Sequence, residues 1–440
     1  MEFESVREVS WKERTMIQQE EQHSALSGVA GEVQDFYDRY PYPPPVTSLE
    51  KYRSLWQGFQ RRRADHYLFW PAKPYKEDQS ILIAGCGTSQ AAKHAMRWPA
   101  AQVTGIDCSA TSVHRTEELK EQYKLTNLQV HQLAIERIND LAMSFDQIVC
   151  TGVLHHLADP DAGLSALRSV LKPDGAMHLK VYAPYGRTGI YMLQEFCRRV
   201  GIRANDDDIR DLVRALGALP PGHPLESVLS QAPDFRHEAA LADALLHPRD
   251  RAYSIPQLFD FIEKAGLAFG RWVRQAPYSV HCGAIAKIPQ AIRIALLSPA
   301  EQYAAIELFR GTMARHSLVV YRDDSAARPR QISFAGDAWL DYVPMRMSDT
   351  ICIQDRLPHG AVAVLINQTH TYRDLFLPIG SHEKRLFDAI DGINTIDDIV
   401  NGTFSSSNLT AKLDIARTFF ERLWWHDQIV FDTSQQATTV

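Results

Sequence analysis

Three groups of residues have the types and spacing to do chemistry. The run ILIAGCGTSQ (81–90) carries an apolar stretch into a turn containing Gly85 and Gly87, ahead of a helix-forming segment. Glycine has no Cβ, so a ligand can approach that backbone closely, and the helix offers unpaired N–H groups to an anion. Asp107 stands 20 residues beyond Gly87, at the end of the apolar run QVTGID. A carboxylate so placed suits bidentate hydrogen bonding to ribose hydroxyls; its plainer role is capping the next helix. His155 and His156 follow the apolar stretch FDQIVCTGVL. An imidazole titrates near neutrality and can take a proton from a reacting group. The plainer reading has one ring packed under the next helix and the other capping or solvated. Adjacent side chains diverge and no third ligand is near in sequence, so no metal is expected.

The elements that must position these groups alternate. Strands are expected at SILIAG, QVTGID, LQVHQL, FDQIVCTG and AMHLKVYA, with LKPDG (171–175) as a turn before the last. Helices fall between them, one opened by Ser109 or Thr111 and one by Asp159 or Asp161. Such alternation indicates a parallel sheet covered by helices on both faces. Residues 186–250 read as a mostly helical insertion, broken at LPPGHP (219–224). A helix at 255–267, a strand at AFGRWV, a helix near 299–313 and a strand at SLVVY close the domain. Upstream, 1–34 is polar and weakly helical, DFYDRYPYPPP (35–45) is stiffened by its prolines, and 49–70 reads as one amphipathic helix.

Composition bounds the function. The chain has 440 residues, 45% hydrophobic and 23% charged, with a net charge of −6. That excludes wholesale disorder and small disulfide scaffolds, and it does not favour phosphate backbones or anionic lipid. Arg61, Arg62 and Arg63 lack interleaved aromatics and read as a solvated helix face, so there is no strong nucleic-acid signal. No run approaches the ~20 apolar residues of a membrane span. The start carries no signal peptide, and the six cysteines form no C-x-x-C pair. A reduced, cytoplasmic protein is expected.

Taken together, the glycine turn, Asp107, the FD-initiated strand with its VLHHL tail, and LKPDG resemble the class I S-adenosylmethionine-dependent methyltransferases. The resemblance covers about 80–185. It implies an α/β fold: a Rossmann-like seven-stranded sheet, with the strands near 267–273 and 317–321 as its antiparallel last pair. It implies S-adenosyl-L-methionine as cofactor, with Ala84, Gly85, Cys86 and Gly87 cradling the methionine part and Asp107 holding the ribose. Cys108, Leu133, Ala134 and Ile135 would lie against the adenine. Thr151, Gly152 and Leu154 would floor the sulfonium, and Tyr40 would add a cofactor contact. His155, His156 and Tyr37 are the candidate catalytic set, with Tyr42 beside them, and Tyr182, Tyr185 and Arg187 could face substrate. The sequence departs from the family pattern at Ile83, Ser89 and Leu133, each removing a glycine or a polar contact.

The implied activity is methyl transfer to O, N or C of a small-molecule acceptor. A protein methyltransferase and a non-catalytic cofactor-binding regulator stand beside it, and Gln90 disfavours a nicotinamide dehydrogenase. The domains expected are a lid segment at 1–70, the methyltransferase domain at 71–325 and a small α+β module at 331–440. That module loosely resembles a winged helix and could serve regulation, substrate docking or a homodimer.

Overall fold

The computed structural model describes residues 31–226, 237–325, 331–404 and 409–435. The polar segment 1–30 and most of the expected linker lie outside the described residues. Seven strands form one sheet: β1 (Ser80–Ala84), β2 (Gln102–Asp107), β3 (Leu128–Gln132), β4 (Phe145–Thr151), β5 (Leu171–Tyr182), β6 (Leu267–Trp272) and β7 (Arg315–Arg322). Their order is β3-β2-β1-β4-β5-β7-β6. The first five are parallel, while β7 runs antiparallel to both β5 and β6.

The central strands read as near-continuous apolar runs because helices cover both faces. On one face Leu82, Ile106, Ile148 and Leu179 pack with Leu164 and Leu167 from a helix at Pro160–Ser169. On the other, Ile81, Ile83, Val103 and Val149 meet Ala91, Ala92 and Ala95 from a helix at Gln90–Arg97. Small alanines let that helix lie close to the sheet edge where the glycine turn emerges. Of the two pairs of cap candidates, Ser109 accepts from Ser112 N and Asp159 from Ala162 N.

Two local expectations are corrected. Residues 49–70 form two helices, Glu50–Trp56 and Phe59–Phe69, because Gly58 adopts extended backbone between them. LKPDG is not a turn outside the strand but a bulge within β5. Its pairing with β4 steps from Phe145 opposite Leu171 to Gln147 opposite Ala176. Lys172 Nζ fixes the bulge by reaching Asp146 Oδ2 at 2.9 Å and Ser80 Oγ at 3.0 Å.

The C-terminal residues build two small sheets. β8 (Val343–Arg346) pairs with β12 (Ile429–Asp432), and β9 (Thr350–Ile353), β10 (Ala363–Asn367) and β11 (Leu377–Ile379) form the other. Helices at Ser381–Asp388, Ile396–Thr403 and Leu409–Trp425 complete the module around Trp339, Leu386, Phe419 and Phe420. The expected helices and flanking strands are there; the winged-helix likeness stays a proposal. The helix Phe59–Phe69 wedges the module against the large sheet, since Tyr67 and Leu68 share one cluster with Val319 and Tyr321 and with Met345 and Val430. Asp427 bolts the join by accepting from the backbone N–H groups of Gln275 and Ala276, each at 2.9 Å.

Candidate active site

The glycine turn is tied to the neighbouring strand at each step. Gly85 and Gly87 have φ of +70° and +53°, in the left-handed region that favours glycine. The N–H groups of Gly85 and Cys86 both donate to Ile106 O at 2.9 Å. Gly87 N–H donates to Asp107 Oδ2 at 2.8 Å, and Ser109 N–H to Oδ1 at 3.0 Å. Each carboxylate oxygen therefore keeps acceptor capacity for another donor. Burial raises the Asp107 pKa, and the N–H groups of Ser109 and Gly87 oppose that rise.

A strap closes over this turn. Residues 31–39 form a helix, followed by extended chain through the prolines. Thr88 Oγ1 donates to Pro43 O at 2.9 Å. A Cβ on Gly87 would stand 3.2 Å from Pro43 Cδ, so strap and turn are close-fitted. Asp38 accepts from Ser109 Oγ at 2.6 Å and from Thr111 N at 3.1 Å. Tyr37 of the same helix donates to Asp243 Oδ1 at 2.9 Å, and Tyr40 just beyond it to Asp206 Oδ1 at 3.1 Å. One short segment thus bridges the sheet edge and the helical insertion.

Under the strap lies a cavity of about 470 Å³. Of the expected residues, Gly85, Gly87, Asp107, Cys108, Leu133, Ala134, Ile135, Thr151, Gly152, His156, Tyr37 and Tyr42 line it. Five others stand away from its wall. Ala84 and Leu154 belong to the core beneath the sheet, and Cys86 packs under Gly105. Tyr40 is turned to Asp206. His155 is buried and packs against Tyr182, with ring centroids 3.8 Å apart and planes tilted by 36°. Burial drives its pKa well below the usual value, and neither ring nitrogen has a partner among the described residues. It is a packed aromatic here.

His156 is placed differently. Its Nδ1–H donates to Arg249 O at 2.7 Å, which leaves a lone pair on Nε2, an atom without a partner among the described residues. Burial pushes its pKa down to about 4, so the ring is neutral at pH 7. Tyr37 is raised well above the usual phenol value, by burial and then by Asp243, and stays protonated. It can donate a hydrogen bond but cannot serve as a base.

The sequence reasoning against a metal rested on the lack of a third ligand, and that reason fails. The insertion brings Asp243 and His247 beside His156, with one ligand atom from each lying within 4.8 Å of the others. The tautomers argue against a ligand set instead. Arg249 N–H donates to His247 Nδ1 at 3.0 Å, so His247 Nε2 carries the proton and has no lone pair to give.

Residues 82–177 match the family model of a methyltransferase domain. An uncharacterized protein of Synechococcus sp. is 32% identical over 246 residues, which is 54% of this chain and 58% of that protein. A tRNA U34 carboxymethyltransferase of Campylobacter curvus is 29% identical over 105 residues, 23% of this chain and 34% of that protein. The chain thus spans less than two thirds of either relative's own length. Among solved structures, PKMT2 from Rickettsia typhi in complex with AdoHcy superposes with a TM-score of 0.63 at 15% identity, covering 89% of this chain and 77% of that one. The likeness, the matched domain and the strand order coincide. This chain has the class I methyltransferase fold.

Several residues of this cavity were missed in the sequence: Gln90, Lys93, Pro43, Lys180, Asp243 and Arg315. Lys180 had a readable signal, since HLKVY places His178, Lys180 and Tyr182 on one face of an otherwise apolar strand. Asp243 had none, because it enters from the insertion. Tyr182 and Arg187, expected to face substrate, both border an adjoining cavity, where Arg187 pairs with Asp250 at 2.5 Å and holds its guanidinium 3.4 Å from the Tyr182 ring centroid.

Proposed function

We propose that this protein is an S-adenosylmethionine-dependent methyltransferase acting on O, N or C of a small-molecule acceptor. The observation that carries the reading is the convergence of Gly85, Gly87, Asp107, Ile135 and Gly152 on one cavity. Those residues fit the cofactor. Gly85 and Gly87 carry the left-handed turn along the cavity wall, and Asp107 has lone pairs for ribose hydroxyls. Lys93 lines the same cavity and its side chain has no hydrogen-bond or ion-pair partner among the described residues, which suits the tail carboxylate.

Bound there, the cofactor supplies an electrophilic methyl on a sulfonium that is already a good leaving group. The chain then has to align an acceptor with that methyl and exclude water, and such positioning can be worth up to about 7–11 kcal/mol. The strap of Tyr37, Tyr42 and Pro43 supplies the exclusion. His156 Nε2 offers its lone pair to an acceptor hydroxyl or amine, which orients the nucleophile; with its pKa at about 4 it is a weak base. A carboxy-terminal module that docks protein substrates is the second reading, favoured by its packing against the sheet through the helix Phe59–Phe69. The proposal includes a reducing, cytoplasmic setting, supported by six unpaired cysteines, and a homodimer that light scattering would test. Among the described residues no helix is long and apolar enough to cross a membrane.

The test is incubation with methyl-labelled cofactor and a fractionated lysate. Label is expected in the small-molecule fraction. Label in protein would favour the docking reading, and cofactor binding without any transfer would leave a regulator.

A further inference from the structure

The methyltransferase cavity opens into a second one of about 420 Å³. Tyr42, Lys180, Tyr182, Asp243 and Arg315 line both, so these residues frame the junction. A space of that size is in the range of small-molecule sites, which run from about 300 to 1,000 Å³. Its wall opposes the charge of the whole molecule. The chain carries a net charge of −6, yet among the described residues Lys180, Arg187, Arg274 and Arg315 face Asp243 as the cavity's one carboxylate.

Two of those cations are already paired, Arg187 with Asp250 and Arg274 with Asp349. Lys180 and Arg315 have no side-chain hydrogen bond or ion pair among the described residues. Asp243 is not their partner, since its oxygens accept from the hydroxyls of Tyr37 at 2.9 Å and Tyr182 at 3.4 Å. The strands aim the pair at the junction. Lys180 lies opposite Thr151, at the end of β4, and Arg315 lies opposite Tyr182 on β7.

Resting on the methyltransferase reading, we propose that the acceptor carries an anionic group, a carboxylate or a phosphate, seated between Lys180 and Arg315. Lys180 is held partly out of water without a counter-ion, and the neighbouring charge of Arg315 repels it; one anion relieves both. Burial, then the charge of Arg315, lowers Lys180 to about 8, as this arrangement requires. The cofactor's own carboxylate is the other source of the same chemistry. Lys93, which lines only the first cavity, serves that role, whereas Lys180 and Arg315 front both.

The test uses the full chain saturated with S-adenosylhomocysteine, titrated calorimetrically with benzoate, phenyl phosphate and neutral benzamide. One of the anions is expected to bind at least about tenfold tighter than benzamide. Lys180→Met and Arg315→Met should each remove that preference while S-adenosylhomocysteine affinity stays within about twofold. Arg315 is exposed, so its variant remains informative if the strand lysine proves necessary for folding. Equal binding of anions and benzamide to the wild type would overturn the proposal. So would an approximately tenfold loss of S-adenosylhomocysteine affinity in the variants, which would assign the cations to the cofactor. Failure of the wild type to bind S-adenosylhomocysteine would instead sink the methyltransferase reading, and the same titration without it would then decide the anion site alone.

Discussion

Asp107 does two jobs that a one-dimensional reading separates. As expected, its position at the end of β2 presents a carboxylate to the cavity; it also clamps Gly87 N–H and Ser109 N–H. Replacing Asp107 by Ala therefore removes the proposed ribose acceptor and orphans two buried donors. S-adenosylhomocysteine affinity should fall by about 1–3 kcal/mol, measured by calorimetry. Unchanged affinity would separate Asp107 from the ligand. The two histidines show why type and spacing do not assign roles. They are neighbours in sequence, yet His155 packs against the Tyr182 ring while His156 lines the cavity. The backbone of the short helical turn after β4 turns them to different surroundings, and that turn is set by tertiary contacts with Arg249 and Arg251.

Among the elements, the strap is where the site is assembled. The helix at 31–39 is held near its C-terminal end, by Asp38 to the start of the helix after β2, by Tyr37 to the insertion, and by Phe36 packed with Ile209 and Ala242. Tyr37→Phe removes the hydroxyl that satisfies one oxygen of buried Asp243. That should loosen the strap by about 1–3 kcal/mol, seen as faster amide exchange over 31–45 in the absence of ligand. Exchange rates equal to the wild type would show that the strap is held elsewhere. The pattern of tyrosines and prolines was visible in the sequence, but not that Tyr40 would point to Asp206 rather than into the cavity.

For the whole molecule, buried neutral histidines set the response to acid. Burial lowers His66, His156 and His426 to about 4, and His94 and His247 to about 3. Each has a folded pKa below its unfolded value of about 6.5, so the unfolded chain binds protons first as pH falls. Their combined effect is absent above pH ~7 and destabilises progressively between about 6.5 and 4, on the order of 1–2 kcal/mol per residue at pH 5. Asp107 and Asp243 oppose this, because burial raises their pKa values, but they are fewer. The thermal midpoint, followed by circular dichroism, should be flat above pH 7 and fall steeply below 6.5. A midpoint unchanged down to pH 5 would mean those rings are accessible to protons in the folded state.

The strands, the glycine turn and the carboxylate at the tip of β2 were legible because they depend on local order. Apolar runs must be buried, a left-handed turn needs glycine, and a fixed spacing places one carboxylate at the next strand's tip. The turn at LKPDG failed for the converse reason, since the Asp146–Lys172 contact folds it into β5, whereas the single helix expected at 49–70 overlooked a local break at Gly58. Asp243, Lys180 and Arg315 come from three separate elements and meet only when the insertion, β5 and β7 converge. No period or spacing along a chain encodes the meeting of residues far apart within it. The cavity wall at the glycine turn and β2 was therefore readable from sequence, and the wall around Lys180 and Arg315 took its charge from tertiary packing.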